Sequence, residues 1–316
     1  MPQVDRNNPQ RAASSDADYS LIEFMRDYPT DAACLEKLWR ERFSDDGVHA
    51  DCGNCGERTP FKRYETKQKR GGSWTCTRCG KHKSVTAGTI FEGSSTSLVL
   101  WFYAMYLMTS TRCGISAKQL ERELGVTYKT AWRMMNKIRN DLMNDSDDPE
   151  QLSGDVEVDE TLIGGKPRGL GKLTRRDVAA FREAKPTVLG MVERGGRIKL
   201  RVIPSRRGAG LSREVRTHVN PSAMLITDDW PAYKPLRKEF LDHRVINHSA
   251  GLYVEGYIHT NSVEGIFGNV KTGMRGAYKH VSRRWLQSYL NEYAWRHNAQ
   301  RKGDPLFVQL LERAAG

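Results

Sequence analysis

The sequence lacks an apolar run long enough to cross a bilayer. Its longest run of this kind, at 98–108 (LVLWFYAMYLM), is shorter than the roughly 20 residues that a spanning helix needs. The opening residues, MPQVDRNNPQR, are polar and lack the apolar centre of a signal peptide. These two absences argue against a membrane or secreted protein, and we expect the chain in the cytoplasm.

Cysteine is also scarce, since the 316 residues include six. Two close pairs account for four of them, and Cys34 and Cys113 stand apart. In a cytoplasmic chain, close pairs favour metal ligation over a disulfide framework. We therefore expect the two remaining cysteines to be reduced, buried thiols.

Acidic residues are outnumbered by basic ones. The chain has 50 Lys and Arg against 38 Asp and Glu, which gives a formal net charge of +12 and a pI near 9.4. Such an excess adds self-repulsion to the folded state unless a polyanion binds. Nucleic acid is the partner that the charge favours, but the motifs have to carry that inference.

Composition and periodicity divide the first half of the chain into four segments. Residues 1–18 are polar and rich in Ser, Asp and Asn, so we expect a disordered tail there. Apolar residues at helical spacing on both sides of Pro29 predict short N-terminal helices within 19–48. A module rich in glycine and cysteine follows at 49–92, and a helical region at 93–145.

The second half has the pattern of an α/β domain, which we place at 150–302, with a C-terminal tail at 303–316. Strand patterns at 187–192 and 198–203 flank Arg194-Gly195-Gly196, a good hairpin turn. Helical periodicity follows further along the chain. The expected fold class is therefore a mixed sheet flanked by helices.

Cysteine spacing indicates a metal site. Cys52 and Cys55 form one CxxC pair, Cys76 and Cys79 form a second, and twenty residues separate the pairs. This is the ligand spacing of a tetrahedral four-cysteine zinc site. Because four thiolates leave no open position, we expect a structural Zn²⁺ that stabilises a zinc ribbon too small to fold alone. Four unligated cysteines are the alternative.

Basic residues surround the two cysteine pairs, with Tyr64 and Trp74 among them. They are Lys62, Arg63, Lys67, Lys69, Arg70, Lys81 and Lys83. This mixture suits contact with a DNA backbone, and a plain solvated basic face is the alternative.

Residues 115–132 predict a helix, a tight turn at Gly125 and a second helix, with Ser116 and Thr127 as N-caps. We expect these apolar side chains on the inner face: Ala117, Leu120, Leu124, Val126, Ala131 and Met135. We expect these side chains of the second helix to face double-stranded DNA: Tyr128, Lys129, Arg133, Lys137 and Arg139. A purely structural helix pair is the alternative to a helix-turn-helix.

Three acidic residues follow predicted strands or open a predicted helix. Asp159 ends the first strand of the α/β region, Asp228 ends a later one, and Glu264 lies in the first turn of a helix. Carboxylates from separated segments are the ligands that hard divalent cations require, and a two-metal site of this kind carries out phosphodiester hydrolysis or transfer. We choose Asp228 over Asp229 because it directly follows the strand.

Each of these carboxylates also has a structural interpretation. Asn261-x-x-Glu264 fits a capping box, in which both side chains satisfy the N-terminus of a helix. Aspartates at strand ends often cap turns. Taken singly, none of the three establishes a catalytic site.

Five stretches resemble bacterial insertion-sequence transposases of the ISXO2-like, Merlin-related group. They are PTDAACLEKLW from Pro29, the paired CxxC motifs, EVDET from Glu157, ITDDWPAY from Ile226 and HTNSVEGIFGNVKTGMRGAYKHVS from His259. The resemblance spans roughly 20–300, and the last stretch is the most specific. It implies a zinc ribbon joined to a catalytic domain of RNase H-like fold with a triad of two aspartates and a glutamate (DDE).

The resemblance also implies roles for single residues. Asp159, Asp228 and Glu264 would bind catalytic Mg²⁺, as two ions, with Asn261 as a polar helper. Asn261 competes with Glu264 for the third position, and we prefer Glu264 because a carboxylate binds Mg²⁺ better than an amide does. Cations along and after the Glu264 helix would hold DNA phosphates: Lys271, Arg275, Lys279, His280, Arg283 and Arg284. A Gly/Arg/Lys-rich stretch at 164–176 would form a mobile loop over the site.

The leading hypothesis is a DNA transposase that binds the terminal repeats of its element, cleaves to expose a 3′-OH and joins that hydroxyl to target DNA. We expect a homodimer or a higher assembly on DNA, in the bacterial cytosol with the nucleoid. One alternative is a non-enzymatic DNA-binding regulator with an inactive RNase H-like domain. Another is a repair or recombination nuclease, which shares the chemistry but not the joining step.

Overall fold

The chain divides into two compact units. The first comprises Met1–Arg112, Ala117–Leu142 and Lys302–Gly316, and the second comprises Cys113–Ser116 and Met143–Arg301. Within the part of the chain that is described, no helix is both long and apolar enough to span a membrane. The computed structural model describes residues 19–64, 72–111, 113–145, 150–164, 174, 185–205, 209–246 and 257–316. The predicted tail at 1–18 and most of the predicted loop at 164–176 lie outside these residues.

The first unit contains a four-stranded antiparallel sheet in the order β1-β2-β3-β4. Trp39 of helix α2 (Asp31–Phe43) stacks on Trp74 of β3 (Ser73–Cys76) with ring centroids 4.9 Å apart, and both side chains are buried. This pair fixes the sheet against the helix that precedes it in the chain. The strands are β1 (His49–Cys52), β2 (Glu57–Tyr64), β3 (Ser73–Cys76) and β4 (His82–Ser84).

Helices α1 (Leu21–Asp27) and α2 (Asp31–Phe43) lie on either side of Pro29, as predicted. Ser20 and Glu23 form a capping box at the start of α1, and Thr30 caps α2 by accepting from the backbone of Ala33. These caps satisfy amides that the first turn leaves without helical partners. Helix α3 (Leu98–Ser110) begins after Ser97 and is buried over much of its surface.

Helices α4 (Ala117–Leu124) and α5 (Tyr128–Lys137) form the predicted helical pair, and a π-helical turn, Ile138–Leu142, follows directly. Gly125 between them has φ +62°, which favours glycine. Of the two isolated cysteines, Cys34 is buried as expected. Cys113 is exposed between α3 and α4, so the expectation of burial was wrong for it.

The C-terminal segment is not a tail, which corrects the prediction for 303–316. It forms an amphipathic helix, Leu306–Ala315, which we call α9 because three further helices described below precede it. Phe307 lies 5.2 Å from the ring of Tyr19 and 5.6 Å from that of Phe24, centroid to centroid. Leu306, Phe307, Leu310 and Leu311 repeat at helical spacing, and a face of this kind requires a partner.

The second unit is built on a five-stranded mixed sheet in the order β7-β6-β5-β8-β9. β5, β6 and β7 pair antiparallel in sequence order, while β8 runs parallel to β5 and β9 parallel to β8. The β6–β7 turn lies at Arg194 and Gly195, as predicted. The strands are β5 (Asp155–Leu162), β6 (Thr187–Glu193), β7 (Ile198–Ile203), β8 (Met224–Asp228) and β9 (Asp242–Ile246).

Helices cover both faces of this sheet. Helix α6 (Ala209–His218) and the 3₁₀ helix Pro231–Lys238 share one core with inward side chains of β5, β6 and β8. Helices α7 (Asn261–Gly273) and α8 (Leu286–Ala299) share a second core with alternate residues of β6 and β7. The strand period of two therefore supplies a separate apolar layer to each face.

Side chains of α8 cover the outer edge of β7. The Asn298 amide accepts from the backbone N–H of Ile198 and donates to its carbonyl, at 2.8 and 3.0 Å. Gln287 accepts from the N–H of Val202 at 2.8 Å and donates to the carbonyl of Leu200 at 2.9 Å. These bonds satisfy edge groups that would otherwise be available to another strand.

Candidate functional sites

The four predicted zinc ligands lie together in the first unit. Their sulfur atoms all lie within 4.8 Å of one another, with Sγ–Sγ distances of 3.5 Å for Cys52–Cys79 and 3.9 Å for Cys55–Cys76. Tetrahedral ligation with Zn–S bonds of about 2.3 Å requires sulfurs about 3.8 Å apart. The spacing of the sulfurs therefore fits a four-thiolate zinc ion.

Both cysteine pairs use the same local turn. The N–H of Gly56 bonds to the carbonyl of Cys52, and that of Gly80 bonds to Cys76, at 2.9 and 3.0 Å. These glycines have φ near +72° and +74°. A hydrogen bond from Thr59, aided by backbone N–H groups, lowers the pKa of Cys76 to about 6. This environment favours the thiolate that a metal requires.

The basic residues predicted around the cysteines are only partly described, because Lys67, Lys69 and Arg70 lie outside the described residues. Lys62, Arg63 and Lys81 are exposed. Lys83 is half-buried, and its ammonium lies 4.6 Å from the centroid of the Phe43 ring. The exposed cations around this sheet are accessible to a polyanion.

The helix pair places its apolar residues inward, as predicted, with Leu120, Leu124, Ala131 and Met135 buried and Ala117 and Val126 half-buried. The cap at Thr127 is present, accepting from the N–H of Thr130 at 3.3 Å. Tyr128, Lys129 and Arg133 are exposed at the start of α5 and along one of its sides.

Two cations expected on the outer face differ from the prediction. Arg139 is 2% exposed, so it is not available to DNA. It follows the inner residues Ala131 and Met135 at spacings of eight and four residues, so the helical period places it on the buried face. Lys137 is half-buried and donates to the carbonyl of Ile90 at 3.3 Å.

Asp159 and Asp228 lie at matching positions on adjacent parallel strands. Glu157 of β5 pairs in register with Ile226 of β8, and each aspartate follows two residues later. Two residues restore the same face of a strand, so both carboxylates lie on one side of the sheet, just beyond the last paired residues of β5 and β8. β5 itself continues to Leu162, so the prediction that Asp159 ends this strand was wrong. Both side chains are partly exposed.

Helix α7 brings Glu264 to the same region. Val263 and Phe267, which flank Glu264 on this helix, pack against Gly190 of β6, and Gly190 pairs with Asp159 across the ladder. Glu264 is exposed in the first turn, where its Oε1 accepts from the hydroxyl of Thr260 at 3.2 Å.

The electrostatics of Asp159 include the charges of the other two carboxylates. Burial raises the pKa of Asp159 to about 7, and the charges of Glu160, Asp228 and Glu264 add to the increase. Within the described residues, only the four cysteines have ligand atoms all within 4.8 Å of one another, so the three carboxylates are more widely spaced. They form an acidic site in which the neighbouring charges disfavour the ionised form of Asp159.

The capping box expected from Asn261 and Glu264 is not formed. Helix α7 has Thr260 as its N-cap, without a side-chain cap bond, and Asn261 is exposed as its first residue. Glu157 bonds to the amides of Ser262 and Val263 instead. This residue was missed as a site residue, although a charge between Val156 and Val158, two apolar strand residues, was a signal for it.

Cations continue from α7 into the following segment. Lys271 is half-buried near the end of α7, whereas the others are exposed in or after the π-helical turn Met274–Tyr278: Arg275, Lys279, His280, Arg283 and Arg284. Arg283 donates to the carbonyl of Pro204 at 3.2 Å. Lys279 has φ +61°, the left-handed region that side chains other than glycine rarely adopt.

The family comparison covers the unit that holds the three carboxylates. Residues 151–298 match the family model described as the ISXO2-like transposase domain. This segment of the chain is similar to transposase domains of that family. The resemblance to insertion-sequence transposases of this group is therefore confirmed, and all three carboxylates lie inside the matched transposase segment.

A curated relative extends the similarity beyond the transposase domain. The chain is 28% identical over 255 residues to a protein of Halobacterium salinarum named "Uncharacterized protein in transposable element ISH50". The aligned part covers 76% of this chain and 84% of the relative. This relative is the product of a transposable element, as the family match leads one to expect.

A second polar pair in the transposase domain was also missed. The hydroxyl of Tyr233, from the WPAY stretch, donates to Glu160 at 2.7 Å, and its side chain is 1% exposed. Burial raises the pKa of Tyr233, and the charge of Glu160 adds to the effect. No pattern in the sequence indicates that these two residues, 73 positions apart, would meet.

Proposed function

We propose that this protein is a DNA transposase that binds the terminal repeats of its element, cleaves DNA and joins the exposed 3′-OH to target DNA. The observation that supports this proposal most directly is that Asp159 and Asp228 lie in register on adjacent strands, and that Glu264 lies close to them. A protein that only binds DNA has no need for three neighbouring carboxylates, because they repel both one another and the phosphates.

We propose an RNase H-like fold for the second unit. Its support is the strand arrangement, in which three antiparallel strands in sequence order are extended by two parallel strands on the side of β5. The first and fourth strands of the unit then lie side by side. This adjacency allows one carboxylate from each strand to contribute to the same site.

Asp159, Asp228 and Glu264 are the residues that would hold catalytic Mg²⁺, as two ions, with Asn261 beside them. Their donor set fits, because carboxylate oxygens are the ligands that Mg²⁺ prefers, and a cation relieves the repulsion that raises the pKa of Asp159. When bound, Mg²⁺ activates the attacking oxygen and stabilises the leaving one. In the first unit, the four cysteines hold a structural Zn²⁺.

The protein's own cations bind and orient the DNA. Lys271, Arg275, Lys279 and Arg283 hold phosphates near the three carboxylates. Tyr128, Lys129 and Arg133 on α5 contact the terminal repeats, with Lys137 at the edge of that surface. The exposure of most of these side chains supports the assignment. Cutting and joining two ends further calls for a homodimer or a higher assembly on DNA.

The test is a strand-transfer assay on labelled DNA carrying the element's own ends, with Mg²⁺ or with EDTA. Asp159→Asn, Asp228→Asn and Glu264→Gln are expected to abolish joined products while end binding persists. Asp242→Asn on β9 is the matched control, because Asp242 pairs with Arg244 at 2.8 Å away from the three carboxylates.

Other outcomes of this assay separate the competing functions. Cleavage without joining, under conditions that support assembly, would indicate a nuclease. Binding without any cleavage by the wild type would indicate a regulator. Activity retained in Glu264→Gln but lost in Asn261→Ala would move the third ligand to Asn261.

A further inference from the structure

Glu157 is a fully buried carboxylate on β5, two residues before Asp159, with 0% of its surface exposed. One of its oxygens accepts from the backbone N–H of Ser262 at 2.8 Å and of Val263 at 3.1 Å. The other accepts from the Ser262 hydroxyl at 2.9 Å. All of these bonds reach the first turn of α7.

These bonds replace the missing side-chain cap of α7. The first amides of a helix have no helical partner, and an N-cap side chain normally accepts from the second or third. Thr260, the N-cap, makes no such bond. Glu157 supplies it from a position 105 residues earlier, and its negative charge also suits the positive end of the helix dipole.

Arg194 completes the arrangement from the β6–β7 turn. Its Nε donates to Glu157 at 2.7 Å, while its Nη1 and Nη2 donate to the carbonyls of Tyr257 and His259 at 2.7 and 2.9 Å. The guanidinium also lies 4.4 Å from the centroid of the Tyr257 ring. Arg194 therefore ties the segment leading into α7 to the same carboxylate.

We propose that Glu157, held by Arg194, is a positioning residue that fixes the first turn of α7 and thereby the Glu264 carboxylate relative to Asp159. This inference rests on the proposed function of the acidic site. Glu157 and Asp159 share a strand, and Glu264 is one residue beyond the amide of Val263 that Glu157 holds. A single side chain thus connects the backbones that carry two of the three carboxylates.

Stability alone does not account for this arrangement. Buried ion pairs often contribute little net stability, because desolvation offsets their attraction, so a well-packed apolar residue would hold a helix on a sheet equally well. Directed hydrogen bonds differ, because they fix both the rotation of the helix about its axis and its position relative to the sheet. Groups that orient metal ligands in this way typically change metal affinity about 10–100-fold when they are removed.

The chain offers a close control in Glu193 of β6. Its carboxylate accepts from the backbone N–H groups of Ser153 and Arg197 at 3.1 and 3.0 Å and from the Ser153 hydroxyl at 3.1 Å. It also faces the Arg197 guanidinium at 3.8 Å. Glu193→Gln therefore alters the same kinds of bond in the same sheet without contacting α7.

The experiment compares full-length wild type, Glu157→Gln and Glu193→Gln. Amide hydrogen exchange in peptides covering 258–264, read by mass spectrometry, reports the first turn of α7. Loss of a helix cap predicts about tenfold faster exchange at Ser262 and Val263 in Glu157→Gln. Mn²⁺ titration followed by electron paramagnetic resonance is expected to show that the same variant binds Mn²⁺ at least about tenfold more weakly than the wild type. Glu193→Gln should match the wild type in both.

Three results would overturn the proposal: unchanged exchange in Glu157→Gln, faster exchange with unchanged Mn²⁺ affinity, or equal effects in Glu193→Gln. Ser262→Ala, which removes only the hydroxyl bond, provides a milder second variant with smaller changes in the same direction. If the wild type binds no Mn²⁺, the proposed metal site fails, whereas the exchange rates still decide whether Glu157 holds this turn.

Discussion

Gly190 lies directly across the β5–β6 ladder from Asp159, and α7 packs closely on the sheet at this point. A β-carbon at Gly190 would lie 2.8 Å from side-chain carbons of both Val263 and Phe267. The absence of a side chain therefore sets the distance between the strand that carries Asp159 and the helix that carries Glu264.

Gly190→Ala is expected to displace α7 and to lower both stability and activity. Forcing a methyl group into a packed contact costs about 1–3 kcal/mol, and a small displacement of Glu264 should reduce strand transfer at least about tenfold. Thermal unfolding and the strand-transfer assay measure the two effects. Gly210→Ala on α6 is the control, since a β-carbon there has no neighbour within 4 Å. Equal activity in the two variants would contradict the argument.

The zinc proposal predicts a difference between two exposed cysteines. Cys79→Ser should lose the metal and unfold the β1–β4 sheet, because a small module of this kind depends on its ion. Cys113→Ser should keep one equivalent of zinc. Metal analysis by mass spectrometry and circular dichroism measure the two effects. Zinc retained at one equivalent in Cys79→Ser would show that Cys79 is not a required ligand.

The helix-turn-helix proposal predicts that cations of α5 contribute more to DNA binding than cations of α4 do. Arg133→Ala should weaken binding to the terminal repeats and reduce the salt dependence of log K by about 0.9 if one phosphate contact is lost. Arg122 is an exposed cation of α4, and Arg122→Ala should change neither the affinity for the terminal repeats nor its salt dependence. Fluorescence anisotropy between 50 and 200 mM salt, about the range in which such contacts weaken strongly, gives both quantities. Equal losses in the two variants would indicate non-specific charge binding.

Local sequence patterns predicted local structure well. The CxxC pairs, the cap at Thr127 and the turn at Gly195 each depend on residues a few positions apart. The parallel pairing of β5 with β8 is not local, and no pattern in the sequence predicted its register. Residues close in sequence thus carried most of the correct predictions.

The errors have non-local or geometric causes. The cap of α7 comes from Glu157, and no pattern around Asn261 and Glu264 could reveal it. Arg139 was placed on the wrong face, because it continues the four-residue spacing of the buried residues Ala131 and Met135. Helix α9 is different, since its apolar spacing was visible in the sequence but its partners belong to the other end of the chain.

The raised pKa of Asp159 predicts that the acidic site destabilises the protein when no cation is bound. With a pKa of about 7 in the folded state against an ordinary value of 3.8, the folded state binds the proton more tightly. The stability that protonation of Asp159 contributes is therefore complete below about pH 4 and is lost as pH rises through 7. At pH 8 without divalent cations, Asp159→Asn should melt at a higher temperature than the wild type, because an amide carries no charge to desolvate.

Mg²⁺ should reverse that order. The wild type gains stability at pH 8 when a cation binds its carboxylates, whereas Asp159→Asn has lost a ligand and should gain little. At pH 5 the wild-type carboxyl is largely protonated, so the difference between the proteins and the effect of Mg²⁺ should both shrink. Differential scanning fluorimetry at both pH values, with Mg²⁺ or EDTA and with Asp242→Asn as the control, measures this. A lower melting temperature for Asp159→Asn at pH 8 in EDTA would show that Asp159 is stabilised as a carboxylate by other groups, and the metal would then not be needed to relieve repulsion.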